Sequence, residues 1–351
     1  MLDLVTVRAG QSTRDAVQAT VSLAKTADEL GYRRYWVAEH HNMPAVAATS
    51  PPVLIGMLAA QTRRIRLGSG GVMLPNHAPL VIAEQFALLE AAFPGRIDLG
   101  VGRAPGSDPV TSWALRTTAG RSDDDITRFA DNVSDLMALM GTEGVLLDLQ
   151  GRHYGLKATP SAGSTPELWL LGSSDYSARL AAARGLPYVF AHHFSGEGTA
   201  AALELYRSTF IPSAHLSSPR TFLTVNAVVA PTTELAERLA LPQLLAMLTL
   251  RTGGPLTPQI TVEDAELVDV PAAHLPLLNA MKARWVIGSP ADAADQLVEL
   301  ARTFDVDEVM LNPAAGEPAG TKMQRARAKE ETLRLLSDRL LGKTPAPEGS
   351  R

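Results

Sequence analysis

Short apolar runs alternate with longer stretches of helical periodicity from one end of the chain to the other. LDLVTV (2–7) reads as a strand, and Ser12 is placed to N-cap the helix that runs from there to Gly31. YRRYWVA (32–38), IRLGSGGVML (65–74) and RIDLGVG (96–102) are the next three strands, with helices from about Pro51 to Thr62, over 79–93 and over 122–140. LWLLG (168–172), PYVFA (187–191), TFLTVNAVVA (221–230) and DEVML (307–311) complete eight strands. Helices near 174–185, 197–210 and 290–304 separate them, and one from about Lys322 to Leu341 closes the series. Eight strand–helix repeats predict an α/β fold of the parallel (β/α)₈ TIM-barrel kind. An open nucleotide-binding sheet usually has six strands and a glycine fingerprint after the first, which this chain lacks.

Such a barrel takes roughly 250 residues, and the chain has 351. The excess is assigned to two insertions. One, about 142–167, is a glycine-punctuated excursion around VLLDL before strand five; the other, about 251–287, lies between strands seven and eight. The second is long enough to be expected as a lid or mobile segment. The organisation predicted is one barrel domain over 1–341 with a disordered tail, GKTPAPEGSR (342–351).

Composition narrows the partners. With 32 Lys and Arg against 37 Asp and Glu the net charge is −5, and no basic block stands out, so nucleic acid is not expected as a partner. No cysteine is present, which removes disulfides, thiolate metal sites and a cysteine nucleophile. Asp3 and Arg8 break the first apolar run, and no run approaches the roughly 18 residues of a membrane helix. The expectation is a cytoplasmic protein that acts on small molecules.

Barrel chemistry sits at the C-terminal ends of the strands. That places EHHN (39–42), SGGVMLPNH (69–77), GRAPGSD (102–108), GSSDYS (172–177) and HHFS (192–195) on one face. Glu39, His40 and His41 admit three readings: metal site, catalytic site, or polar turn ending a strand. Adjacent strand residues point to opposite faces, so neither EHH nor His192–His193 chelates one ion from regular strand geometry. GSSDYS opens a helix after strand five, so Ser173, Ser174 and Ser177 offer hydroxyls beside free backbone N–H groups; the plain reading is a serine N-cap, the sharper one an anion site. Arg103, on the same face, would clamp a phosphate, and its plain role is a surface ion pair. LGSGG (67–71) places glycines inside a strand, where a flat ring or a bulge is needed to explain them.

YWVAEHHN, LGSGGVMLPNHAPLVIAEQFALLEAAFPGRIDLGVGRAPGSD and LWLLGSSDYSARLAAARGLP, in this order on these strands, resemble the bacterial luciferase-like flavin monooxygenase family from residue 2 to about 341. The resemblance implies reduced FMN supplied by a separate flavin reductase, which with O₂ oxygenates a lipophilic or aromatic molecule, with polyketide tailoring within the family's range. Met73 and Trp113 are expected to line the substrate pocket beside the 251–287 segment. By the same resemblance Arg103, Gly172, Ser173, Ser174 and Ser177 hold the phosphate, and Gly70–Gly71 is a non-prolyl cis peptide under the flavin ring. His40 handles protons beside the flavin, with Glu39 as its orienting partner; His193 is a candidate on the substrate side. Gly102 stands where the light-emitting subunit has cysteine, so light emission is not implied, and Ser173 stands where it has an acid. Two rivals share these features: a deazaflavin (F420)-dependent oxidoreductase and a catalytically silent flavin-binding paralogue.

The second helix carries no charged residue from Thr49 to Thr62. A surface helix of a barrel should show a polar outer stripe. Its absence, with the dimers implied by the resemblance, predicts a homodimer with this helix in the interface.

Overall fold

The computed structural model describes residues 1–104, 106–117, 127–194 and 196–341. Eight parallel staves form the barrel: β1 (Leu2–Asp3), β2 (Arg34–Val37), β3 with β4 (Arg66–Ser69 and Val72–Met73), β5 (Ile97–Gly102), then β8 (Glu167–Gly172), β9 (Tyr188–Phe190), β10 (Thr221–Val229) and β12 (Val309–Pro313). Between β5 and β8 the chain makes an antiparallel hairpin, β6 (Val145–Leu149) and β7 (Arg152–Leu156), within the first insertion. β1 packs beside β12, which brings the sheet round nearly to closure. The predicted TIM barrel is the fold observed.

Helices return the chain outside the barrel: α1 (Thr13–Glu29), α2 (Pro51–Ala59), α3 (Pro79–Ala92), α4 (Pro109–Thr117), α5 (Phe129–Met140), α6 (Asp175–Arg184) and α7 (Thr199–Ser208). α1 begins where the sequence places it, because the Ser12 side chain accepts a bond from Asp15 N. The start expected for the helix over 122–140, and the tail 342–351, lie outside the described residues.

Three departures from the sequence reading have physical causes. The first strand stops at Asp3, whose carboxylate accepts from Val5 N at 2.9 Å, and Val5 turns the chain at φ +52°. The third strand is split at the Gly70–Gly71 peptide, which is cis. The excursion between strands seven and eight is larger than 251–287 and is folded. It runs through α8 (Thr233–Arg251), α9 (Val262–Glu266), α10 (Leu275–Lys282) and a short strand β11 (Val286–Gly288) on the upper end of β10. Leu244, Leu248, Val262, Met281 and Trp285 share an apolar cluster of their own there. After it, α11 (Pro290–Thr303) makes the crossover to β12, and α12 (Arg327–Leu340) ends the described chain.

Inside the barrel, Leu2, Trp36, Trp169, Val189, Phe222 and Met310 form a separate cluster. Trp36 and Trp169 pack on Phe222 at 5.2 and 4.9 Å between ring centroids. Arg34 joins this cluster to Asp98 and Glu308 at the N-terminal end of the strands. That end is plugged, and the other is left for chemistry. No helix among the described residues is long and apolar enough to cross a membrane.

Candidate active site

Glu39 stands just beyond β2 and is fully buried. Its Oε1 accepts from His41 Nε2 at 2.8 Å and from His77 Nε2 at 2.7 Å, while Oε2 accepts from Met73 N at 2.9 Å. Burial raises the carboxyl pKa, but the bonds from His41, His77 and Met73 outweigh it and hold it at about 2. The carboxylate is therefore a fixed anion that ties the loop after β2 to the loop after β4. It does not bond His40, so the orienting role expected for Glu39 is exercised on His41 and His77 instead. No group of three side chains suited to a metal ion occurs among the described residues.

The loop after β5 joins the same cluster. His41 N donates to Gly106 O at 3.3 Å, and Asn42 Nδ2 donates to Thr111 Oγ1 at 2.9 Å. Gly106 has φ +66°, and a Cβ there would stand 2.9 Å from Glu39 O, so only glycine lets the two loops meet.

His40 points elsewhere. Its backbone N–H donates to Ala48 O, its half-buried ring leaves Nδ1 buried with no hydrogen-bond partner among the described residues, and burial lowers its pKa. The imidazole is thus neutral near pH 7, with a ring nitrogen that no group among the described residues satisfies. His193, beyond β9, is close enough for the charge of His40 to affect its titration.

Arg103 and the start of α6 come together as the sequence places them. The guanidinium carbon lies 4.2 Å from the centroid of the Tyr176 ring, which fixes a half-buried cation over the first turn of the helix. Ser174 is the N-cap and makes no side-chain capping bond, leaving first-turn N–H groups uncapped. Ser173 and Ser174 are exposed, whereas Ser177 is buried and packs under Gly172, where a Cβ would stand 2.4 Å from Ser177 Oγ. A guanidinium, uncapped N–H groups and two exposed hydroxyls make a donor set suited to a phosphate. Asp175 in the same turn turns towards Arg179 at 3.5 Å.

Met73 is half-buried next to Gly102, its Sδ 3.8 Å from where a Gly102 Cβ would be, whereas Trp113 is largely exposed. A cavity of about 250 Å³ lies between α8 and the 255–274 stretch of the excursion. Sequence reasoning missed four participants: His77 as the second partner of Glu39, Tyr176 beneath Arg103, and the pair Thr224 and Asn226 behind His193. The last had a legible signal, polar residues at alternate positions of the apolar run LTVNAVV.

A family model described as luciferase-like monooxygenase matches residues 1–306. A luciferase-like monooxygenase of Escherichia coli is 42% identical over 314 residues, 89% of this chain and 90% of its own. The N-acetyl-S-alkylcysteine monooxygenase of Bacillus subtilis is 34% identical over 346 residues, 97% of each chain. Among solved structures, apo-MsnO8 superposes with a TM-score of 0.81 at 32% identity, covering 96% of both chains. The oxygenating constituent of 3,6-diketocamphane monooxygenase from Pseudomonas putida, in complex with FMN, shares the fold with a TM-score of 0.70 at 20% identity, covering 96% of this chain and 95% of its own. With the barrel, its mouth and these matches agreeing over almost the whole length, the chain belongs to the luciferase-like monooxygenase family.

Proposed function

We propose that the barrel mouth binds reduced FMN and that the protein uses it with O₂ to place one oxygen atom on a lipophilic small molecule. The observation that carries this reading is the Arg103–Tyr176 stack over the uncapped start of α6. It supports a phosphate seat at the C-terminal rim, where barrels of this kind bind phosphates. The FMN held by the similar camphane enzyme supports flavin as the group.

In this reading Arg103, Ser173, Ser174 and the N–H groups of the first turn hold the phosphate, with Ser177 and Gly172 shaping the turn. Gly70 and Gly71 would contact the flavin. When bound, reduced FMN supplies the electrons that activate O₂. The chain's own work is to orient and to shield. Glu39 fixes the two loops that wall the mouth, and neutral His40 accepts or returns a proton beside the ring. A separate flavin reductase delivers the reduced cofactor.

For the substrate, two classes deserve the first trials: aromatic polyketides, and thioethers of the kind named by the Bacillus subtilis relative. The test couples the protein to a flavin reductase under ¹⁸O₂ with a panel of both. The expected product carries one ¹⁸O atom and requires reduced FMN. Oxygen uptake that ends only in hydrogen peroxide across the panel would favour the silent paralogue. Turnover with a reduced deazaflavin and no oxygen would favour the hydride-transfer rival.

A further inference from the structure

The excursion encloses space that the chemistry of the mouth leaves unused. About 250 Å³ lies between the C-terminal half of α8 and the 255–274 stretch, with Pro255, Ile260, Val270 and Pro271 on the side facing the helix. α8 offers it a single stripe, in which Leu245, Ala246 and Thr249 follow at helical spacing. Met247 and Arg251, about half a turn round the same helix, line a different and much smaller space beside His192 and His193. The helix thus stands between the cavity and the histidines beyond β9.

The polar groups on its walls are already engaged. Thr249 Oγ1 donates to Leu245 O and Thr252 Oγ1 to Leu248 O, both at 2.9 Å, so these hydroxyls are turned onto the carbonyls of their own helix. Gln259 Nε2 donates to Gln243 Oε1 at 2.8 Å. The Gln259 backbone is clasped by the loop after β1, donating to Val7 O at 2.9 Å and accepting from Ala9 N at 2.8 Å. A held water needs two to four polar partners, and such walls offer few. Among the described residues no Lys or Arg lines the space, and Asp269, exposed at its edge, is the one carboxylate. Val268 beside it is also exposed and gives the opening an apolar lip. An apolar cavity of roughly 150 Å³ takes up benzene, so this one has room for two fused rings.

We propose that this cavity is a second binding site, separate from the barrel mouth, for an uncharged lipophilic molecule of about the size of two fused rings. Removal of apolar surface from water drives the binding. An anion meets no cation there and has Asp269 at the entrance, the reverse of the mouth, where Arg103 is placed for a phosphate. A molecule in this seat touches both α8 and the segment that carries the Gln259 clasp, so it stabilises the excursion against local opening. The site does not depend on the flavin reading and is measured without flavin.

The probes are 2-naphthol and 2-naphthoate, a neutral and an anionic molecule on the same ring system, added to the whole chain at pH 7. Hydrogen exchange over residues 242–274, followed as each probe is added, reads this site separately from the mouth. 2-Naphthol should slow exchange there, reaching half its effect at a concentration at least about tenfold below that of 2-naphthoate, whose charge would be buried without a partner. Ala246→Trp and Thr249→Trp each fill the cavity from α8 and should remove the response. Thr249 is exposed, so the second change leaves the core packing alone. Thr249→Val keeps the shape without the hydroxyl and should respond as wild type does. Equal half-effect concentrations, no slowing over 242–274 up to the solubility limit, slowing confined to the loops after β2 and β5, or a response that survives in Thr249→Trp would overturn the proposal.

Discussion

Glu39 shows how a single buried charge is made useful. A carboxylate out of contact with water is costly unless its lone pairs are taken up, and here three donors take them up. Its pKa of about 2 lies below the ordinary 4.5, so the folded state prefers the ionised form. That preference contributes stability which is complete above about pH 4.5 and is lost as pH falls towards 2, on the order of 3 kcal/mol in all. Glu39→Gln should therefore be less stable than wild type at pH 7, with the gap narrowing at pH 4 and closing further at pH 3. Urea unfolding at the three pH values measures it, and a gap that stays constant would contradict the ionised hub. His40 carries the complementary prediction. His40→Ala should retain FMN binding and lose at least about a hundredfold in product formation, the scale of general acid–base help. His41→Ala should instead loosen the loop that Glu39 ties down. In the sequence Glu39, His40 and His41 were visible as a group but not as separate roles. Strand alternation does not say which side chain faces which way once the strand has ended, and the bond partner His77 is 38 residues from Glu39.

At the level of elements, the strands were legible because each is a short apolar run bounded by turn residues. Seven of the eight staves keep their identity through the barrel as single strands. The remaining stave is cut by the cis Gly70–Gly71 peptide, a backbone feature that no hydrophobic period records. The excursion was harder to read. α8 contains Pro242, a residue that signals a break in a helix, yet it is buried inside this one with Gly316 against its ring. The segment beyond looked like a loop because its helices are short and rich in flanking Gly and Pro. With its own apolar cluster it should respond to core damage by itself. Leu244, 2% exposed, belongs to that cluster. Leu244→Ala should cost about 2–5 kcal/mol. Hydrogen exchange should show the loss over α8 to β11 while the amides of β2, β5 and β8 keep their protection. Equal loss of protection in the barrel strands would show that excursion and barrel open as one unit.

Across the whole molecule, one outer surface stays unexplained by the monomer. α2 exposes Val53 and Met57 at 61% and 43%, and the neighbouring α3 exposes Val81 and Leu88 at 47% and 58%. Gly56, by contrast, faces α3, where a Cβ would meet Leu89 Cδ2 at ordinary contact distance. Exposed apolar side chains on neighbouring helices suit an interface, and a second copy is the partner we propose. Light scattering should give a homodimer for wild type and a monomer for the double variant Val53→Glu, Met57→Glu; a monomeric wild type would contradict it. The chemistry at the barrel mouth is open to a more direct test. If the mouth is a reduced-FMN site, the clamp must be Arg103 over Tyr176. An anaerobic fluorescence titration of reduced FMN and of a reduced deazaflavin into wild type, Arg103→Ala and Arg103→Lys measures this in one experiment. FMN should bind more tightly than the deazaflavin, and Arg103→Ala should weaken it by about 1.5–3 kcal/mol. Arg103→Lys should recover only part of the loss, because the planar fork is gone. Tighter binding of the deazaflavin, or FMN affinity indifferent to Arg103, would contradict the assignment.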